Sequence, residues 1–208
     1  MSETGGILGP RGGPDLLVRM RGRAVGAMVC AGFGAYALYW WVQDAIRGEW
    51  IPWFAAIVAI TAILVHWAIA NLVALRHEPR VALDKRLIRF YRIGYAVIVA
   101  IEGAAISVGG PIVGHFHRPD LFGQWIGVVV GIHFFPLGKL FKIPLYYATG
   151  AAISLAAFGS LLISASALSS AVCAGGTGAA LWITAVVILS KNLESLSART
   201  AVAVSVGE

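Results

Sequence analysis

The sequence predicts an all-α protein, a polytopic bundle of six transmembrane helices with both termini in the cytoplasm. Of the 208 residues, 59% are hydrophobic and 12% are charged, whereas a soluble domain averages about 25% charged residues. The charges cluster between long apolar runs, and a helix needs roughly 20 apolar residues to cross the hydrocarbon core of a bilayer. No repeat period runs through the chain, which argues against a fibrous or low-complexity protein. One polytopic membrane domain is therefore the simplest prediction.

Six apolar runs meet this length requirement, although the fourth is short and the second is long enough to tilt in the bilayer. The predicted spans are Ala24–Val42, Ile51–Leu75, Ile93–Val113, Leu121–Leu137, Pro144–Ala165 and Val172–Ser190. Residues 1–18 are rich in glycine and proline, and they predict a disordered cytoplasmic tail. Residues 19–191 then form the predicted six-helix domain, and residues 192–208 form a cytoplasmic C-terminal tail.

The orientation of the spans follows from the distribution of lysine and arginine, which favour the cytoplasmic side of a membrane. With six spans, the basic residues that fall on one side are Arg11, Arg19, Arg21, Arg23, Arg76, Arg80, Lys85, Arg86, Arg89, Arg92, Lys139, Lys142, Lys191 and Arg199. Only Arg47 and Arg118 fall on the other side. The net charge of +6 is therefore a topology signal, and nucleic acid is not an expected partner. The predicted location is the plasma membrane of a bacterial cell.

The segment 80–92, RVALDKRLIRFYR, is amphipathic at helical spacing. The apolar residues that can face lipid are Leu83, Leu87, Phe90 and Tyr91. The basic residues that can face headgroups are Lys85, Arg86, Arg89 and Arg92. Each basic residue near an anionic leaflet contributes about 1 kcal/mol of attraction. The segment thus predicts contact with anionic lipid headgroups, and the alternative is a solvated inner loop whose charges only set the topology.

Glu102 lies at the centre of the third span, in the run AVIVAIEGAAISV. A charge there is costly, so an intramembrane carboxyl is a functional candidate by default, as a proton relay or a cation site. Counted along each span from its outer end, Glu102 lies at a depth similar to those of His133 and His66. The sequence therefore predicts that the three side chains form one polar layer. The alternative is a protonated glutamate that donates one hydrogen bond to a neighbouring helix. Asn71 and Gln124 also lie in spans and predict hydrogen bonds between helices.

Three glycines recur every four residues in the fourth span, at Gly123, Gly127 and Gly131. Such a row lets a second helix approach closely and also permits a homo-oligomer. His133 is rotated by roughly 120° from Gly127, so the glycines and the histidine are expected to face different neighbours.

Gly131, His133, Phe134, Pro136 and Lys139 belong to the run GIHFFPLGKLF. This run resembles a G-x-H-F-x-P-L-x-x-L-F motif of small bacterial multi-pass membrane proteins of unknown function. The resemblance implies that these residues act as a unit. In the predicted arrangement Pro136 ends the fourth helix and places His133 one turn inside it.

Two further features concern metals and cofactors. His115, His117 and Asp120 lie close together in an outer loop and suggest a metal site, although a zinc site requires four ligands and a plain surface loop is the alternative. Cys30 and Cys173 fall near opposite leaflets and predict free thiols. No motif of a known enzyme class is present, and no cofactor is predicted.

These observations predict a small transporter or channel component that uses Glu102, His133 and His66. A non-transporting scaffold or accessory subunit is the first alternative. A membrane-embedded metal or haem redox protein is the second, and an enzymatic function is not expected.

Overall fold

The computed structural model describes residues 14–46, 48–76 and 85–206. Within these ranges the chain is helical and contains no strands, as the sequence predicts. The helices are α1 (Pro14–Ala45), α2 (Ile51–Ala74), α3 (Lys85–His115), α4 (Phe122–Phe141), α5 (Leu145–Ser160) and α6 (Ser166–Val206), and a short 3₁₀ turn, Pro119–Leu121, precedes α4. The predictions for residues 1–13, Arg47, residues 80–84 and the side chain of Leu87 concern positions outside this description.

Five of these helices are long and apolar enough to cross a membrane, which supports the prediction of a multi-pass membrane protein. The sixth, α5, has 16 residues, and at 1.5 Å per residue it is about 24 Å long. The predicted span Pro144–Ala165 is therefore too long. The helix ends at Ser160 because the chain turns there, with Leu162 N bonded to Gly159 O and Ile163 N bonded to Ser160 O.

Helices extend into both of the predicted tail segments within the described chain. Helix α1 begins at Pro14, within the segment predicted to be disordered, since proline suits the first position of a helix. Helix α6 continues through residues 192–206, a stretch with no glycine or proline to end it. Asn192 is fully buried, and its amide donates to the Met20 carbonyl at 3.0 Å.

The prediction that Pro136 ends the fourth helix is wrong, because α4 passes through Pro136 and ends at Phe141. Proline removes the N–H that would bond to the Ile132 carbonyl, and membrane helices tolerate such a loss through local adjustment of the backbone. The helix ends instead at Lys142, whose φ of 55° and ψ of 42° are left-handed. Its N–H and that of Ile143 both donate to the Gly138 carbonyl.

Helix α6 is the centre of the bundle and packs against α1, α2, α4 and α5. Helix α1 also packs against α2, α5 against α4, and α4 against α3. Helices α2 and α3 are thus the outer members of this arrangement. A core cluster joins α1, α2, α4, α5 and α6 through residues such as Ala31, Leu64, Phe134, Ile153 and Leu189.

Side-chain contacts show which helix ends lie together. The Arg21 guanidinium donates to the Leu75 carbonyl at 2.6 Å, and Tyr91 stacks on Phe141 with their rings 6.1 Å apart. Together with the bond from Asn192 to Met20, these contacts bring the start of α1 to the end of α2 and to the part of α6 around Asn192, and the start of α3 to the end of α4. These ends carry the basic residues that bordered the predicted inner face.

The seam between α1 and α6 depends on glycine. A Cβ built at Gly34 lies 2.5 Å from Cδ1 of Trp182, and one built at Gly178 lies 2.5 Å from Cγ of Leu38. The absence of both Cβ atoms lets the backbones approach, and the Trp182 indole then donates to the Ala31 carbonyl at 3.2 Å. Lipid supplies no hydrophobic driving force for the association of two helices. Close packing of the α1 and α6 backbones therefore stabilises this seam.

Gly34→Leu is expected to destabilise the folded protein in detergent by about 1–3 kcal/mol, because the new side chain overpacks the contact with Trp182. Gly32→Leu is the matched control on the same helix, since nothing lies within 4 Å of a Cβ at Gly32. Thermal unfolding followed by tryptophan fluorescence measures both. Equal melting temperatures for the two variants would contradict the glycine-dependent seam.

Candidate functional site

The candidate site lies on the seam between α3 and α4. The α3 residues that contact α4 include Gly94, Glu102, Ala105 and Gly109, and their spacing places them on one face of the helix. Gly94 leaves room for Leu140, and Gly109 leaves room for the Trp125 indole. The same indole donates to the Ala105 carbonyl at 3.0 Å. The glycines and this bond hold the two helices close on both sides of Glu102.

At the middle of this seam, Glu102 and His133 form a pair. Oε1 of Glu102 lies 3.2 Å from Nδ1 of His133, and the two side chains are 18% and 16% exposed. Nδ1 also lies 2.8 Å from the Val130 carbonyl. A carbonyl oxygen only accepts hydrogen bonds, so Nδ1 carries a proton. This N–H donates to the Val130 carbonyl, and the glutamate oxygen lies within ion-pair distance of the same nitrogen.

The remaining ring nitrogen, Nε2, has no hydrogen-bond partner within the part of the chain that the structure describes. The imidazole instead packs on Phe134, with ring centroids 4.8 Å apart, and Phe134 in turn packs on Tyr146. One nitrogen of His133 is therefore fixed by backbone and carboxyl, while the other is free to accept a proton or a ligand.

His66 does not join this pair. Its side chain is exposed on α2, which packs against α1 and α6. Among the described residues, no group of three or more His, Cys, Asp and Glu side chains is arranged to hold a metal ion. The predicted three-residue layer is thus a two-residue pair in the structure.

The two intramembrane amides have separate surroundings. Asn71 is buried and donates to the Trp67 carbonyl of its own helix at 2.9 Å. Gln124 is buried on α4 and donates to the Ser169 hydroxyl of α6 at 3.0 Å. Gln124 therefore bonds between helices and Asn71 bonds within α2.

The glycine row of α4 faces α5 and α6. A Cβ at Gly127 lies 2.9 Å from the Cys173 sulfur, and one at Gly131 lies 3.1 Å from the Gly150 carbonyl. Gly123 has nothing within 4 Å of such a Cβ. The row and His133 thus serve different neighbours, with α3 on one side and α5 and α6 on the other.

In the loop between α3 and α4, Asp120 forms an ion pair with Arg118 at 2.9 Å. The hydrogen bonds that the Arg118 guanidinium donates to this carboxylate, together with the negative charge of the carboxylate, raise the pKa of the guanidinium above its ordinary value. His117 adopts a left-handed φ of 55°. His115, His117 and Asp120 are not brought together as a metal-ligating group, and the ring of His115 packs on Phe116.

Several polar contacts were not predicted from the sequence. Thr149 of α5 and Thr184 of α6 are buried, and their hydroxyls lie 2.6 Å apart. The Ser169 hydroxyl donates to the Ser160 carbonyl at 2.7 Å. A sequence signal existed, because Ser169, Cys173 and Thr177 recur every four residues on one face of α6.

Comparison of the chain with family models, curated proteins and solved structures finds no match. The motif resemblance of residues 131–141 stays a prediction. The function is therefore argued from the site alone.

Glu102 and His133 are expected to be energetically coupled. A double-mutant cycle with Glu102→Ala and His133→Ala should give an interaction energy of about 0.5–3 kcal/mol, the range for residues in one polar contact. Reversible unfolding in mixed micelles measures the four free energies.

The matched control is the cycle of Glu102→Ala with His66→Ala, which should be additive because His66 lies outside the pair. A coupling to His66 as large as the coupling to His133 would show that the pair is wrongly assigned.

Proposed function

We propose that the protein is a six-span plasma-membrane protein with both termini in the cytoplasm, and that it carries protons or another small cation at the Glu102–His133 pair. The topology is supported by the helix ends that these contacts bring together, at the start of α1 and the end of α2 and at the start of α3 and the end of α4, because they bear most of the basic residues of the described chain. Basic segments favour the cytoplasmic side. With α5 as a short sixth crossing, this places the end that carries Arg118 outside.

The observation that carries the proposed activity is the 3.2 Å contact between Glu102 Oε1 and His133 Nδ1. A pair with neutral imidazole and ionised carboxylate has one negative charge. Addition of one proton, to Nε2 or to the carboxyl, gives a pair with no net charge. Because a charge in hydrocarbon is costly, the membrane favours the protonated form, and the site can bind and release a proton at a defined position.

A proton can reach the pair because the pair lies near the surface of the helix bundle. Both side chains are partly exposed on the α3–α4 seam, and α3 is an outer helix. Nε2 of His133 is the atom to which a proton can be delivered without breaking the contacts at Nδ1. The pair is thus a binding site at the surface of the bundle, as expected for a transporter or channel component that acts with a second subunit or a second copy.

The test is proton flux in proteoliposomes. Purified protein is reconstituted with a pH-sensitive dye inside, and a potassium diffusion potential drives proton entry. Glu102→Gln should reduce the flux to that of protein-free vesicles, because the amide has no titratable proton. Glu102→Asp should retain part of it, because the carboxyl remains.

His66→Gln is the matched control, since His66 is a histidine within a span but outside the pair, and it should leave the flux unchanged. Equal flux for Glu102→Gln and the unchanged protein, or no flux above that of empty vesicles, would overturn the proposed activity.

A scaffold or accessory subunit is the second candidate, and α3 supplies the observation that favours it. Ala96, Ala100 and Ala104 are exposed and recur every four residues on this outer helix. Beside them, nothing lies within 4 Å of a Cβ at Gly103. Small residues at this spacing favour close contact with another transmembrane helix.

If α3 forms such a contact between two copies, Ala100→Leu should abolish the crosslinked dimer while the monomer stays folded. Val99→Leu, at a neighbouring exposed position, is the control. Crosslinking in native membranes followed by electrophoresis measures the dimer, and an unchanged dimer in Ala100→Leu would exclude this face.

A further inference from the structure

The seam where α4, α5 and α6 meet contains a file of buried polar groups that the Glu102–His133 pair does not use. It begins at the outer end with Gln124 and Ser169 and continues along α6 through Cys173 and Thr177. At 1.5 Å per residue, Thr177 lies about 12 Å deeper than Ser169. The bonded threonines of α5 and α6 lie further along the same seam.

Three hydroxyl or amide oxygens on this seam have no hydrogen-bond partner among the residues that the structure describes. They are Oε1 of Gln124, Oγ1 of Thr177 and Oγ of Ser154, and all three are buried. Thr177 lies beside Gly127, and Ser154 lies beside Gly131, one turn along α4. A buried polar atom without a partner is costly, and in proteins such atoms are usually satisfied by ordered water.

The orientation of the Gln124 amide specifies the missing group. The single hydroxyl proton of Ser169 is donated to the Ser160 carbonyl at 2.7 Å, so Ser169 can only accept from Gln124. The amide nitrogen therefore points to Ser169, at 3.0 Å. Its oxygen is left without a donor, and the missing partner must donate a hydrogen bond.

Gln124 and Ser169 also line a small polar cavity at the outer end of this seam. The cavity has a volume of about 50 Å³, and its other polar residues are Arg118, Asp120, Ser164 and Ser166. One water needs only about 10–15 Å³ by this measure, so the cavity holds more than one. It gives the file an opening on the outer side, away from the basic end of the bundle.

We propose that this seam binds a file of water molecules, which enters at the outer polar cavity and reaches Ser154 and Thr177 within the membrane. The file admits other neutral hydrogen-bonding molecules of similar size, and it excludes larger solutes because Gly127 and Gly131 bring α4 against its neighbours. This site goes beyond the proposed cation site, since the glycines and His133 lie on different faces of α4.

The two native cysteines provide a matched test, since both are free and both are 4% exposed. Cys173 lies on the polar seam, where its thiol donates to the Gly123 carbonyl at 3.7 Å. Cys30 lies within the apolar core cluster. Cys30 is the more enclosed of the two thiols, so packing alone predicts a modest preference for Cys173, whereas a hydrated seam predicts a large one.

The experiment uses the single-cysteine proteins Cys30→Ser and Cys173→Ser in vesicles, with methyl methanethiosulfonate as a small neutral probe. Cys173 should react about tenfold faster than Cys30 or more, because thiol reactivity follows access to water. Equal rates, or faster reaction at Cys30, would overturn the proposal.

Thr177→Val in the Cys30→Ser background provides a second measurement. The valine keeps the side-chain shape and removes the hydroxyl that a water would bond. If the file is present, the Cys173 labelling rate should fall by about threefold or more, and thermal stability should not rise. A higher melting temperature with unchanged labelling would mean that the Thr177 hydroxyl is dry, and the proposal would fail.

Discussion

The structure depends on one constraint, which is that a polar group inside hydrocarbon needs a hydrogen-bond partner from the protein or from bound water. The chain meets this constraint by bringing helices close enough for side chains to bond across them. The Trp125 and Trp182 indoles both reach a backbone carbonyl on a neighbouring helix. Both bonds form beside glycines, because a Cβ at Gly109 or Gly34 would occupy the space of the indole.

The sequence predicted the helical membrane fold because the thickness and apolar character of a bilayer determine the length and composition of the helices that cross it. It also supported a contact between Glu102 and His133, since depth along each helix follows from counting residues. Depth alone cannot say which helices are neighbours, and this is why His66 was grouped with the pair. In the structure His66 is exposed on α2, which packs on α1 and α6.

Helix ends were predicted less well, for reasons visible at particular residues. Pro136 was interpreted as a stop, but the loss of one N–H did not end the helix even at this exposed position, and a left-handed Lys142 ends α4 instead. Asn192 was assigned to a tail because it follows a lysine at the end of the apolar run. Its bond to the Met20 carbonyl is a contact between distant parts of the chain, which local patterns do not report.

Helix α4 has different requirements on its two sides, and this separation explains its composition. Its glycine side carries little side-chain volume, so that α5 and α6 approach and their hydroxyls gather around Gly127 and Gly131. Its other side carries Trp125 and His133, whose large rings reach across to α3. A side chain at Gly131 would displace α5. A substitution at Trp125 or His133 would instead alter the contact with α3. Substitutions in α4 can therefore separate the two polar regions, because each depends on a different helix partner.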